Sequence, residues 1–324
     1  MADFPITPKA GQLAVEEAAE RPYEQAVGHL FRSHELRLGK EMLENLTKTV
    51  GQWWLEQDRS QWQEARAART APASEVTAQR CCVFADGVMV HTDGEWHEAR
   101  VGTVRSEGPD QQVYKSSIAR LCGVEELGED LWRNACRLGY RGASVTAFLA
   151  DGSHWLWSLA DRYFQRAVKI VDFWHVCEHV GACGQEFFGE GTQEARAWSL
   201  KVSGTLRAGL VGDALREVEA LPARSAAKRK AKHDLVTYLT NNRERMDYPR
   251  YEAMGLPVGS GEVEAQCKTL VQTRCKQAGM RWRSVGLEPL LRVRCAVRDG
   301  RYERDFGRWD GNLLAWQLRR KRAA

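Results

Sequence analysis

The sequence lacks three features that would each place it in a class. No apolar run approaches the roughly 18 residues needed to cross a bilayer, so no membrane span is expected. None of its nine cysteines stands in a C-x-x-C pair, which argues against cysteine-rich metal sites and leaves reduced, mostly buried thiols. The opening "MADFPITPKAGQLAVEEAAERPYEQ" has neither a basic start nor a continuous apolar segment. No secretory signal is therefore expected, and the cytoplasm is the expected compartment. There is no internal repeat.

What is present suits a folded protein with a polyanionic partner. At 324 residues, one main core with appended or inserted helical parts is expected. The formal charge of +4 is unevenly spread: from Ala265 onward there are 15 Lys or Arg against 5 Asp or Glu, a local net of +10 that leaves −6 for everything before it. Such a basic end either meets a polyanion or forms a solvated helical tail. Twelve tryptophans are many for one chain, and most are expected in the core.

Residues 1–71 read as helical. "RPYEQAVGHLFRSH", "ELRLGKE" and "MLENLTKTVGQWWLEQ" give helix, connection, helix, a pattern common to helix-turn-helix DNA readers and to plain dimerisation hairpins. Residues 72–80 have the small, polar composition of a linker. "CCVFADGVMVHT" and "EWHEARVGTVRS" then flank Asp93-Gly94, a hairpin signal, and "QQVYKSS" supplies a third strand. "GEDLWRNACRLGY" reads as a helix, "ASVTAFLA" as a buried strand, "SHWLWSLADRYF" as a helix and "AVKIVDF" as another buried strand. That order predicts a mixed α/β core, not a wound sheet of βα repeats. Residues 176–254 carry only helical patterning, too long for a plain loop. A further helix is expected from Ser260, as its N-cap, to Gly279.

Several acids sit where apolar or turn residues would be the ordinary choice. Asp86 interrupts "CCVFADGVMV", and Asp151 follows a buried strand directly, although an Asp-Gly there also serves as a turn. In "GEVEAQCKTLVQTRC", a period of about 100° per residue puts Val263, Cys267, Leu270, Val271, Cys275 and Ala278 on one apolar stripe. It projects Glu264 into that stripe and leaves Glu262 on the polar side. A carboxylate on a packed face needs a partner or a metal. Carboxylates gathered from separate elements suit Mg²⁺, and two such ions about 4 Å apart support phosphodiester chemistry. His175 and His179 have the i, i+4 spacing of a helical zinc pair, but no third ligand is suitably spaced.

"ADGVMV", "ADGSHWLWSLADRYF", "IVDFWHVCEH" and "PVGSGEVEAQCKTLVQTRCKQAGMRW" together resemble DDE insertion-sequence transposases of the ISKra group. These share a ribonuclease H-like core with Mutator-like elements. The resemblance runs from about Cys81 to Trp282, and "FPITPKAGQLAVEEAAERPYEQAVGHL" is similar to the family's N-terminal helical region. It implies a ribonuclease H-like α/β core over residues 81–175 and 255–300, a helical insertion over 176–254, and a basic tail over 301–324. By motif match, Asp86, Asp151 and Glu264 are the catalytic acids and hold Mg²⁺, with Mn²⁺ as substitute. Asp172 and His175 match an Asp-x-x-His signature beside the site. Asp172 is expected to hydrogen-bond, and His175 either to touch the scissile phosphate or a neighbouring acid, or to be a satisfied supporting group. Lys268, Arg274, Lys276, Arg281 and Arg283 are the implied DNA phosphate contacts, while Trp282 either packs or stacks on a base.

The implied activity is cleavage at transposon ends and strand transfer into target DNA, on double-stranded terminal repeats, by a homodimer in the bacterial cytoplasm at the nucleoid. The chain departs from longer relatives in having only a short linker before the first strand. A catalytically silent or domesticated DNA-binding derivative, or a nuclease or resolvase on the same core, are the alternatives.

Overall fold

The computed structural model describes residues 6–68 and 70–310. Three helices come first, α1 (Pro8–Glu20), α2 (Tyr23–His34) and α3 (Lys40–Ala67). An irregular segment leads to β1 (Arg80–Thr92), β2 (Glu95–Glu107) and β3 (Val113–Arg120), then α4 (Val124–Arg137), β4 (Val145–Ala150), α5 (His154–Tyr163) and β5 (Val168–Val171). The strands form one open, mixed five-stranded sheet in the order β3-β2-β1-β4-β5. β1, β2 and β3 run antiparallel, while β4 lies parallel to β1 and β5 parallel to β4.

The local chemistry explains these elements. Asp93 and Gly94 take positive φ, 54° and 93°, the two-residue turn that matches the twist of β1 and β2. Cys81 to Ala85 are all buried, as a strand covered on both faces requires, and β4 is buried from Thr146 to Ala150. A Cβ on Gly102 of β2 would meet Leu131 of α4, so α4 packs closely on one face. Val101, the residue before Gly102, pairs with Asp86 and faces the other way.

That other face is covered by α11 (Gly261–Gln266), a π-helical turn (Cys267–Gln272) and α12 (Thr273–Cys275). Between β5 and α11 lie α6 (Phe173–Phe188), α7 (Gln193–Arg207), α8 (Val211–Glu219), α9 (Ala226–Asn242) and α10 (Tyr248–Ala253), as the helical pattern of 176–254 predicts. Their buried residues join the core of the sheet.

α13 (Ser284–Arg298) connects two cores. Leu287, Leu290 and Leu291 belong to the sheet core. Val293 and Ala296 belong to a second core built with α1, α2, α3 and α14 (Tyr302–Asp310). The apolar sides of the N-terminal helices are thus packed on α13 and α14. The basic tail expected over 301–324 instead begins as helix α14, with Tyr302 and Phe306 buried against the N-terminal helices; its remainder lies outside the described residues. No described helix is long and apolar enough to cross a membrane, and all nine cysteines are free, eight of them buried.

Candidate active site

Parallel strands display side chains beyond the end of their pairing, and here the pairings of β1, β4 and β5 stop at one end of the sheet. The pairing of β1 with β4 stops at Phe84 and Leu149, so Asp86, midway along β1, and Asp151, just past the end of β4, each lie two residues beyond it. Asp172 follows the end of β5, and its backbone N–H donates to the Ala150 carbonyl at 2.8 Å.

Asp86 is half-buried on the face covered by α11. Its carboxylate accepts from Gly87 N–H (2.7 Å) and from the Cys267 thiol (3.4 Å). Burial holds its pKa above the ordinary value, and the nearby negative charge of Asp151 adds to this; Gly87, Cys267 and the charge of His175 pull the other way. Cys267 is pushed up as well, by burial first and then by Asp86.

Asp151 accepts from Ser153 N–H (2.7 Å) and Ser153 Oγ (2.9 Å), so its carboxylate also shapes the turn into α5. Its own carbonyl accepts from the Tyr238 hydroxyl at 2.8 Å, and the Tyr238 ring stacks on His179 at 3.9 Å. Gly152, at φ 105°, is needed here, since a Cβ would lie 2.7 Å from the Tyr238 ring.

Asp172 is buried and fully occupied. One carboxylate oxygen caps α6, accepting from Trp174 N–H (2.6 Å) and His175 N–H (3.3 Å). The other accepts from Ser260 N–H (2.8 Å) and from the Ser260 hydroxyl. A carboxylate offers about four lone-pair sites, so little is left for an ion, and the hydrogen-bonding role expected of Asp172 is the one its contacts describe. Ser260 does precede α11, but its hydroxyl is spent on Asp172 and lies 3.2 Å from Glu264 Oε1, making no capping bond.

Glu264 corrects the periodicity argument. It is exposed, whereas Glu262 is half-buried and paired with Lys115 (2.7 Å) and Arg105 (3.8 Å). The buried side of the helix includes Gln266 and Arg274 and not Ala278, which turns its centre away from Glu264 by about 20° on a 100° period. Both glutamates therefore sit on rims, Glu262 facing β2 and β3, Glu264 facing Ser260 and Asp172. The carboxyl of Glu264 is nonetheless held above its ordinary pKa, by desolvation at its tip and then by the charge of Asp172. The helix also ends at Cys275, not Gly279, and Ala278 is exposed.

Arg274 is a second correction. It is buried between the rings of Tyr23 and Trp282, 5.0 and 5.2 Å from their centroids, and its Nε donates to the Ala18 carbonyl. It cannot reach a phosphate. Lys268, Lys276, Arg281 and Arg283 are exposed. Trp282 packs against Tyr23 and donates to the Cys275 carbonyl.

His175 lies 3.3 Å from Glu178 and edge-on to His179, whose pKa is lowered by burial and by His175. Sequence reasoning missed Tyr238, and took Cys267 for a stripe residue and Ser260 for a cap; none carries a local signal of its partner.

Among the described residues, no Lys or Arg forms an ion pair with Asp86, Asp151, Asp172 or Glu264. As the side chains stand, no three His, Cys, Asp or Glu groups among the described residues are drawn together tightly enough to hold a metal ion. The donor chemistry still fits a hard divalent cation, because carboxylates desolvated without a cation are the groups such an ion neutralises. Asp86, Asp151 and Glu264 retain acceptor capacity for one. No family model matches the chain, and no curated protein matches it.

Proposed function

We propose that the chain is a DDE-type DNA transposase with a ribonuclease H-like core, similar to the ISKra group, acting as a homodimer on paired element ends. The observation that carries this reading is that Asp86 and Asp151 stand side by side where β1 and β4 stop pairing, with no Lys or Arg paired to either among the described residues, while Ser260 ties the equally unpaired Glu264 to Asp172 at the end of the next strand. The strand order β3-β2-β1-β4-β5, with the glutamate on a helix after a helical insertion, supports it further.

Asp86, Asp151 and Glu264 would hold Mg²⁺ or Mn²⁺. When bound, the metal supplies activation of the attacking oxygen and stabilisation of the leaving oxygen in phosphodiester cleavage and transfer. Asp172 fixes Ser260, and with it the start of the helix that carries Glu264. Lys268, Lys276, Arg281 and Arg283 would bind backbone phosphates, giving affinity and salt dependence but no sequence choice.

The test is cleavage and strand transfer with terminal repeats taken from the DNA flanking the coding sequence. Wild type is expected to nick and join these ends with Mg²⁺, and Asp86→Asn, Asp151→Asn and Glu264→Gln to bind them without cutting. Equal cutting by the variants would sink the assignment. DNA binding without cutting by wild type would indicate a silent derivative, and cutting of branched substrates without joining would indicate a resolvase.

A further inference from the structure

A groove of about 560 Å³ lies between the N-terminal helices and the loop after α12. Lys40 and Lys48 of α3 line one side, Arg281 and Arg283 the other, with Tyr23 and Trp282 between them. Among the described residues the only carboxylates lining it are Glu24 and Glu44, so positive charge prevails. Lys40 approaches Glu24 only to 3.9 Å, and Lys48, Arg281 and Arg283 have no ion-pair partner among the described residues.

Beneath this surface sits Arg274, 1% exposed, whose Nη2 is buried without a hydrogen-bond partner and whose pKa is lowered by desolvation. A buried cation without an anion is costly, and a negative group arriving in the groove relieves that cost through space. The arginine loop is also held in place beforehand. Asp93 N–H donates to the Trp282 carbonyl (2.9 Å), Trp282 N–H to the His91 carbonyl (3.2 Å), and the Trp282 indole to the Cys275 carbonyl (3.0 Å). Arg281 and Arg283 flank that anchored tryptophan, so little ordering is needed when an anion binds.

We infer that this groove grips the phosphate backbone of double-stranded DNA, with Lys40 and Lys48 closing on it from the N-terminal helices opposite Arg281 and Arg283. The inference rests on the transposase reading for its place relative to the reaction. Arg274 follows Glu264 along one helical segment, through α11, the π-turn and α12, so that segment links the groove to the proposed site. The N-terminal helices then hold DNA by charge across a groove, with no recognition helix needed in the major groove.

The experiment measures binding of the full chain to a 20-base-pair duplex of unrelated sequence across a salt series without metal. Each lost phosphate contact lowers the slope of log K against log salt by about 0.9, or about eightfold in affinity at 0.1 M salt. Lys40→Ala with Lys48→Ala, and separately Arg281→Ala with Arg283→Ala, are each expected to reduce the slope by one to two contacts' worth. Lys48→Arg is expected to keep it, which separates charge from folding. Unchanged slopes in both double variants, or binding by wild type to an acidic peptide but not to the duplex, would overturn the inference. Reduced slopes in a protein that never cuts DNA would leave the groove standing and remove the transfer chemistry.

Discussion

Two groups of desolvated carboxylates in this molecule differ in what faces them. Asp58 of α3 meets Arg292 Nε of α13 at 2.6 Å and Arg133 of α4 at 3.7 Å, and Arg292 also reaches Asp305. Although burial alone would raise Asp58, these arginines hold its pKa down to about 2. Asp86, midway along β1 just past its pairing with β4, meets a thiol and a backbone N–H, and its pKa rises. The difference separates structure from chemistry. Asp58 completes its electrostatics inside the fold, whereas Asp86 and its neighbours leave theirs open to a cation from outside.

The comparison breaks most readily at the acids without cations. Asp86→Asn, Asp151→Asn or Glu264→Gln should each lower end cleavage by about three orders of magnitude or more, since a lost ligand removes several kcal/mol of transition-state stabilisation. Single-turnover assays check this, and a tenfold loss would place that residue outside the metal set. Asp58→Asn should do the opposite, keeping the chemistry but destabilising the fold by about 2 kcal/mol, because Arg292 and Arg133 lose their shared carboxylate and keep only Asp305 and Asp130. Chemical denaturation reads that loss.

The two groups also respond to pH with opposite sign. The lowered pKa of Asp58 contributes stability that is present above about pH 4 and is lost as the pH falls toward about 2. Its size is about 2 kcal/mol, at about 1.4 kcal/mol per unit. The raised pKa of Asp86 means the folded carboxyl holds its proton more tightly than the unfolded one. Its burden is therefore absent below about pH 4 and grows as the pH rises through the folded pKa. Asp86→Asn should melt a few degrees higher than wild type at pH 7 and no higher at pH 3, and equal melting temperatures at pH 7 would show that the charge is not a burden. The smallest expected effect is on metal: millimolar Mg²⁺ should raise the melting temperature of wild type slightly and that of Asp86→Asn less. Equal shifts would place the ion elsewhere.

Much of this contrast was legible in the sequence, and its failures share one cause. Asp93-Gly94, the buried runs of β1, β4 and β5, and the helical composition of 176–254 are local signals, and the elements form where those signals stand. Partners distant in sequence leave no such trace. Arg274 reads as a surface cation until Tyr23 and Trp282 enclose it. Glu262 reads as solvated until Lys115, 147 residues away, pairs with it. Asp172 could be expected to hydrogen-bond, but Ser260, 88 residues later, could not be named as its partner. The edge of the buried stripe was misplaced because Gln266 and Arg274, polar by type, are buried in fact.

The bond from Ser260 to Asp172 also bears on timing. During synthesis the sheet and Asp151 are complete long before Glu264 emerges, and the clamp that fixes the start of α11 closes a ring of 88 residues. Closing such a ring costs about 4 kcal/mol of chain entropy, offset only once the helices inside it have packed. The last acid is thus brought to the others late in folding, and a nascent or partly folded chain carries the first two without the third. Under the proposed activity, a chain that is still folding cannot cut DNA.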